Sequence, residues 1–519
     1  MQNNRMALVC ALSTLLSVMS PESSASQQTY GGAAYDAVYD VIQTDDGGYI
    51  AMGNSASFDP LLLYYDVYLI KTNAMGDLEW QKTMGSPYWE SGYGFNKTSD
   101  GGYIIVGSKK DPAVNTTDVY VIKVDSSGSV QWEKTFGGPR NDKARAVQET
   151  LDGGYVLFGD SDSFGSVTFQ QDMYVIKLDV NGDKQWETVI GGDYTEWTWG
   201  GLQTSDGGYA VIGDTRSYSN PLGWADVYLV KLDANGVQLW DQTYGDVSLD
   251  TGRSIIQTSD DGFVIAGEAY PSGSNAYKAY LIKTDPLGAM QWSQVYGLPF
   301  QDTVARCVKE IPGGGFIIAG EQNTISGTDK DGYLLRVDAL GVPQWEKTYG
   351  GTSPEYIYSV SLTSDGGYVL AGRTLSYGAG NYDAFLIKLN SDGEHDDAWA
   401  NLGSGLAGTS GVPSLVGTGS LAEGSSNAAD LNNAAPSALA GLFLALSSTP
   451  VPFKGGTLLP FPFLPPVFLT TSASGTINIP FVMPSGVPAG TELWVQWGIQ
   501  DGAAVAGVAL SNALKGVTP

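Results

Sequence analysis

Seven side chains at one recurring position have the chemistry to hold a ligand: Tyr39, Tyr93, Arg145, Trp199, Arg253, Arg306 and Tyr358. Every occupant is an aromatic or an arginine, while the positions on either side are mostly small. Aromatic faces stack on other flat or apolar faces, and a guanidinium pairs with an anion or with a π-system. A ring of such groups at a channel mouth would suit a sugar or an anionic ligand, so the expected partner is an extracellular carbohydrate or protein. The competing role is structural, with amphipathic side chains wedged between neighbouring elements and the arginines paired to local acids. Trp197 and Tyr356, two residues before ring positions, enlarge the aromatic surface.

Other reactive groups are either too symmetric or too few. Lys71, Lys123, Lys177, Lys231, Lys283, Arg336 and Lys388 recur once per copy. Five positions before six of them stand Asp66, Asp118, Asp172, Asp226, Asp331 and Asp383. A catalytic site breaks such symmetry, so these sets are expected to make hydrogen bonds or ion pairs that fix each copy. In the fifth copy Lys278 takes the aspartate's place, and the sequence offers no reason for it. A single histidine, His395, excludes a histidine-rich metal site and argues against Ser-His-Asp or Cys-His chemistry. Asp179-Val180-Asn181-Gly182-Asp183 has the opening spacing of a calcium loop but lacks the remaining ligands, and it reads as a turn. No catalytic residue, metal or cofactor is expected. The alternative is a carbohydrate-active hydrolase or lyase, which needs two or three carboxylates converging with perturbed pKa values.

The elements that position the ring come from an internal repeat. A Gly-aromatic pair ends at Tyr49, Tyr103, Tyr155, Tyr209, Phe263, Phe316 and Tyr368, at spacings of 54, 52, 54, 54, 53 and 52 residues. A glycine follows each aromatic by four: Gly53, Gly107, Gly159, Gly213, Gly267, Gly320 and Gly372. Nine residues after the basic position comes Trp80, Trp132, Trp186, Trp240, Trp292 or Trp345 in six copies. The D-G-G before the aromatic is a turn, and the glycine four residues on suits a bulge or a close backbone approach. Asp66 to Lys71 has no polar face and reads as a strand buried on both sides. Four short strands per copy, with no helical periodicity, predict the blades of a seven-bladed β-propeller. A solenoid would require capped ends. Instead the expected mature chain, once a leader over residues 1–25 is removed, begins Gln27-Gln28-Thr29-Tyr30-Gly31-Gly32, a copy of the element that follows each tryptophan, while the last copy has Asp397 where tryptophan is due. The spare strand at one end matches the defect at the other, which predicts a closed ring without exposed edges.

The pattern D-G-G-Y-x-x-x-G followed by D-x-Y-L-I-K-x-D-x-x-G-x-x-x-W resembles the β-propeller repeats of large secreted bacterial proteins, over about residues 27–399. That resemblance implies a fold and an extracellular setting, and no reaction. Sialidase-type Asp boxes leave one residue between Asp and Gly, whereas Asp125 and Gly128 leave two. Quinoprotein propellers share the Gly-to-Trp spacing of Gly128 and Trp132, but their vicinal cysteines are missing.

Bulk properties set the remaining expectations. Residues 1–25 read as a signal peptide: Arg5, an apolar Met6 to Met19 stretch, then Ser23-Ser24-Ala25. Cys10 lies within it, leaving Cys307 as the mature protein's one thiol. A secreted or cell-surface monomer is expected, without membrane insertion, because Leu458 to Leu469 is apolar but carries four prolines. A net charge of −28 argues against nucleic acid as a partner. The propeller is expected over 26–399. After Trp399 the composition turns Gly-Ser-Ala-Pro-rich, with four acids and two bases in 401–519. A linker leading into a second domain is expected over 400–425, and a small β-sandwich over 426–519. The apolar run Leu439 to Leu446 could form a strand or a short helix. The region from Gly403 to Leu514 resembles a C-terminal module of secreted proteins from environmental bacteria, whose place here would be attachment or export.

Overall fold

A computed structural model describes residues 27–517 except 59–63, 75, 166–169, 220–223, 325–328, 379, 395–398, 402–404, 419–420, 422–425, 454–455, 461, 465, 483–486, 488–490 and 505–506. The expected signal peptide, His395 and Asp397 therefore lie outside the described residues. The chain is all-β and divides into two compact units, one spanning Ser20–His395 and the other including Asp396–Pro519.

Among its described residues the first unit contains seven four-stranded antiparallel sheets. Blade 1 is Asp36–Gln43, Tyr49–Ser55, Asp66–Thr72 and Leu78–Met84 in spatial order, and the next five blades repeat this arrangement. The D-G-G turn earns its glycines: Gly47, Gly101, Gly153, Gly207 and Gly366 all take positive φ. The second and third strands are buried on both faces, as their unbroken apolar runs require. In blade 7 the sheet order is Gln27–Tyr30, Asp383–Leu389, Tyr368–Thr374 and Glu355–Leu362. The N-terminal strand thus completes the last blade, with Gln27 opposite Ile387 and Tyr30 opposite Ala384.

Burial explains why the blades form a ring. Each hydrophobic cluster straddles two adjacent blades; Ile50, Met52 and Leu69 of blade 1 pack with Tyr103, Ile105 and Ile122 of blade 2. The cluster that joins the ends holds Val38 and Tyr68 of blade 1 with Val369 and Leu386 of blade 7. No blade could bury its faces alone. The Gly-aromatic anchors lie inside these clusters, none more than 4% exposed. Five of them are covered by the preceding blade's tryptophan, as Trp132 covers Tyr155 at 6.0 Å between ring centroids.

The second unit joins Trp399–Asn401, Leu514–Val517, Glu492–Gln500, Leu439–Ala445 and Val467–Thr470 into one sheet, with Val508–Leu510 pairing beside Glu492–Gln500. A smaller sheet joins Ser414–Thr418, Ser426–Asn432 and Pro480–Val482. Leu415 and Leu431 from the smaller sheet share a core with Ala440, Val495, Trp497 and Ile499 from the larger, which makes a sandwich. The 439–446 run is a strand rather than a helix, since its alternating residues pack between two neighbours. Part of 400–425 is structured within this unit: Ser414–Thr418 is paired, and the Leu406 N–H donates to Leu510 O at 2.7 Å.

Candidate ligand site on the inner strands

The seven ring positions share one backbone device. On every inner strand the pairing skips a single residue opposite the anchor glycine, and the skipped residue is Tyr39, Tyr93, Arg145, Trp199, Arg253, Arg306 or Tyr358. A bulge frees one residue from the ladder and turns its side chain away from the sheet's alternation. The glycine across from it is obligatory: a Cβ on Gly53 would stand 1.9 Å from Ala37 O, and one on Gly213 1.7 Å from Trp197 O. All seven side chains are half-buried.

Six of these residues meet the residue that follows the anchor glycine on the second strand, while Tyr39 meets the Tyr35 hydroxyl at 3.2 Å. The positions that follow the anchor glycines form a second ring that the sequence analysis did not single out: Asn54, Ser108, Asp160, Asp214, Glu268, Glu321 and Arg373. Arg145 Nε lies 3.2 Å from Asp160, Arg253 pairs with Glu268, and Arg306 makes two bonds to Glu321 at 2.6 and 2.5 Å. Trp199 Nε1 donates to Asp214 at 2.7 Å, with the guanidiniums of Arg145 and Arg253 at 4.1 and 4.5 Å from its ring. The second ring also ties blades together, since Asn54 accepts the Gly92 N–H at 2.7 Å and Asp160 accepts the Thr198 N–H at 2.5 Å. All three ring arginines therefore have acidic partners, and blades 3 to 6 carry a charge-compensated network. Burial, with the charges of Asp160 and Glu268 nearby, pushes the Asp214 carboxyl up to about 7 despite its bond to Trp199. At Glu321 burial also raises the pKa, but the Arg306 guanidinium outweighs it and holds the carboxyl below its ordinary value.

Blades 7 and 1 break this scheme. There the second-ring residue is a cation, Arg373, opposite Tyr358. Its guanidinium carbon lies 4.3 Å from the Tyr382 ring centroid, 4.4 Å from Tyr356, 5.4 Å from Tyr35 and 5.8 Å from Tyr358. Among the described residues its one hydrogen-bond acceptor is the Tyr35 hydroxyl at 2.6 Å, and Nε has none. The tyrosines continue into a tract: Trp89 to Tyr65 at 5.6 Å, Tyr65 to Tyr35 at 5.2 Å, Tyr35 to Tyr382 at 5.8 Å and Tyr382 to Tyr356 at 6.0 Å. Tyr39 and Tyr358 join beneath it, 5.1 Å apart. Trp89 is 48% exposed, and the tyrosines are half-buried. Only ring closure brings these residues together, because Tyr35 and Arg373 sit at opposite ends of the repeat array.

The symmetric sets are structural. Lys71, Lys123, Lys177, Lys231, Lys283 and Lys388 each pair with the D-G-G aspartate of their own blade, at 2.8 to 2.9 Å. The sixth copy has Pro312-Gly313-Gly314-Gly315 in place of that aspartate, and Arg336 donates to Ser391 O instead. Asp118, Asp172, Asp226 and Asp331 approach an acid at the start of the next blade across one glycine. A Cβ on Gly245 would meet both Asp226 and Asp250. At the fifth junction both acids are replaced, by Lys278 and Thr303, and the Lys278 ammonium donates to Leu298 O at 2.6 Å and Gln301 O at 2.7 Å. The Asp179 segment is a turn whose carboxylate accepts the Asn181 and Asp183 N–H groups at 2.8 Å. Among the described residues no group of three or more His, Cys, Asp or Glu side chains is arranged to hold a metal ion. No helix there is long and apolar enough to cross a membrane.

No protein-family model matches the chain, and no curated protein matches it. Solved structures show likeness at low identity. The WD40 domain of Neurospora crassa Pan2 is 12% identical with a TM-score of 0.42, covering 70% of this chain and 96% of that one. The β-propeller domain of the Trilobed protease from Pyrococcus furiosus, described with an open velcro topology, is 11% identical with a TM-score of 0.40, covering 69% and 94%. A protein of unknown function from Bacteroides caccae is 9% identical with a TM-score of 0.35, covering 55% and 89%.

Proposed function

We propose that this chain is an exported, non-enzymatic binding protein whose propeller presents its ligand face at blades 7 and 1. The observation that carries this reading is the departure from symmetry at Arg373. Arg145, Arg253 and Arg306 are matched to acids within their own blades, whereas Arg373 is framed by tyrosine rings. Of the original seven-membered ring, Tyr39 and Tyr358 contribute to this face, and Tyr93, Arg145, Trp199, Arg253 and Arg306 support the inner strands. Export rests on the leader-like residues 1–25 and the strongly acidic composition. The second unit serves attachment or export in this scheme.

A carbohydrate-active enzyme is the second reading, and one observation favours it. Asp214, with a pKa of about 7, stands near Asp160 and Glu268, as an acid–base pair requires. These carboxyls are, however, buried beneath Arg145, Trp199 and Arg253, with Asp160 at 1% and Asp214 at 3% exposure. A substrate would have to displace that layer to reach them, which favours binding over catalysis.

A glycan and polysaccharide screen of the purified mature protein, scored for retention and for product release, tests both readings. Retention without release, lost in Tyr356→Ala and Tyr382→Ala, is the expected result. Release abolished by Asp214→Asn would establish the enzyme instead.

A further inference from the structure

The tract's composition narrows its ligand, on the premise that blades 7 and 1 are the binding face. Its walls are aromatic, and six of its seven rings are tyrosines: Tyr35, Tyr39, Tyr65, Tyr356, Tyr358 and Tyr382, with Trp89 at the outer end. Flat faces edged by hydroxyls match a pyranose, which offers an apolar C–H face for stacking and hydroxyls around its rim. An aliphatic peptide side chain would use the faces and leave the hydroxyls idle. The successive ring spacings of 5.2 to 6.0 Å extend the surface beyond one sugar, so a short oligosaccharide fits it better than a monosaccharide.

The cation in the middle adds the decisive constraint. A guanidinium presents donors in a planar fork that matches a carboxylate in bidentate fashion. Arg306 uses its fork in this way on Glu321. Arg373 has the same fork, yet among the described residues it engages one phenolic oxygen and no carboxylate. A half-buried guanidinium without a counter-ion is costly in a chain that carries 55 acids from which to supply one. The other members of its ring are Asn, Ser, Asp or Glu, so the cation's place here is a local reversal of charge.

We propose that the tract binds an acidic oligosaccharide, with the carboxylate of a uronate residue seated on Arg373 and the flanking sugars stacked on Tyr356, Tyr382 and the Tyr35–Tyr65–Trp89 faces. The carboxylate supplies the missing counter-ion, and the tyrosine hydroxyls take up the sugar hydroxyls. The net charge of −28 disfavours a densely charged polyanion, because every further carboxylate meets a negative surface. A single uronate seat in an otherwise tyrosine-lined tract satisfies both conditions.

Calorimetry on the full chain with aldotriouronic acid, a xylobiose bearing one glucuronate, and with the same trisaccharide after its single carboxyl is reduced to an alcohol, tests the proposal. The acidic sugar should bind at least about tenfold more tightly than the reduced one, a difference equivalent to about 1.4 kcal/mol. Arg373→Gln should remove that preference while leaving the weak affinity for the reduced sugar. Arg373→Lys, which keeps the charge but not the fork, should retain part of it. Tyr356→Ala should weaken both sugars, and thermal melts of each variant separate lost contacts from lost fold. Equal affinity for the two sugars, both reduced by Tyr356→Ala, would overturn the uronate assignment and leave the binding face standing. Failure of either sugar to bind, with neutral glycans retained elsewhere on the propeller, would overturn both. Preferential binding of an acidic peptide over the aldotriouronic acid would overturn the sugar assignment alone.

Discussion

Trp186, on the outer strand of blade 3, meets Tyr209 of blade 4 nearly edge-on, with ring centroids 5.5 Å apart and planes at 63°. The two residues belong to different copies of the repeat, so the most regular feature of the sequence serves the contact between blades. Tyr209 is 2% exposed and also packs within the cluster that includes Phe158 and Val175. Replacing it with alanine should destabilise the propeller by roughly 3–5 kcal/mol, the range for large core aromatics. Chemical denaturation measures this, and an unchanged midpoint would remove the anchor from the core.

Loss of Gln27 to Gly32 should open blade 7. The deletion removes four paired residues and the Tyr30 hydroxyl bond to Gly76 O at 2.5 Å, and it exposes the Asp383–Leu389 edge. The expected outcome is a lower melting temperature together with concentration-dependent association. A truncated protein that melts like the full chain and stays monodisperse would mean that the ring holds without its terminal strand.

Two groups of acids set opposite pH dependences. Burial raises Asp250 and Asp214 to about 7 in the fold, against an ordinary value of 3.8. Their contribution is fully present below the unfolded carboxyl range and is lost as pH rises through about 7. The D-G-G aspartates behave the other way. At Asp100, burial is outweighed by the bonds from Lys123 and Thr98, which bring the carboxyl to about 2; its contribution is present above the unfolded value and lost as pH falls toward 2. The melting temperature should therefore be higher near about pH 5 than at about pH 8, and should drop again below about pH 3. Asp250→Asn should flatten the alkaline limb, and a melting temperature that rises steadily to pH 8 would contradict the assignment.

Lys278 should prove indispensable to its own junction and unrelated to binding. Its ammonium answers two carbonyls where the other junctions hold acids. Lys278→Ala leaves the Leu298 and Gln301 carbonyls short of a donor, at a cost of about 1–3 kcal/mol. Ligand affinity at blades 7 and 1 should be unchanged, which a paired melt and calorimetry experiment reads directly.

The architecture was legible because the repeat writes each structural requirement seven times. Gly53 and its equivalents announce a close backbone approach, and the spare N-terminal strand announces closure. The proposed ligand face is harder to read. Ring members such as Arg145 and Trp199 were visible by position, but their partners vary in type from Asn54 to Glu321. A pattern search for one residue type therefore passes over the second ring. Arg373 is hidden for the same reason, since it occupies a position that elsewhere holds acids or amides. The tract needs more than position: Tyr35 and Tyr382 touch only because the ring closes, and no local spacing encodes that meeting. Lys278 became intelligible only beside Thr303, which shows that two exceptions in neighbouring copies are one substitution in space.

The pairing of Gln27 with Ile387 also has a temporal meaning. Blades 1 to 6 are built from strands adjacent in sequence, so each can form by short-range hairpin closure as its repeat becomes available. The final sheet cannot, because its outer strand is the first part of the propeller to be made and its other three are the last. That contact spans nearly the whole ring and carries a correspondingly large loop-closure entropy, which places it late on the folding route. Until then both ends of the array show bare strand edges, and Tyr35 and Arg373 remain apart. The proposed binding face thus comes into existence at the same moment as the seal, so ligand capture there would report completed folding.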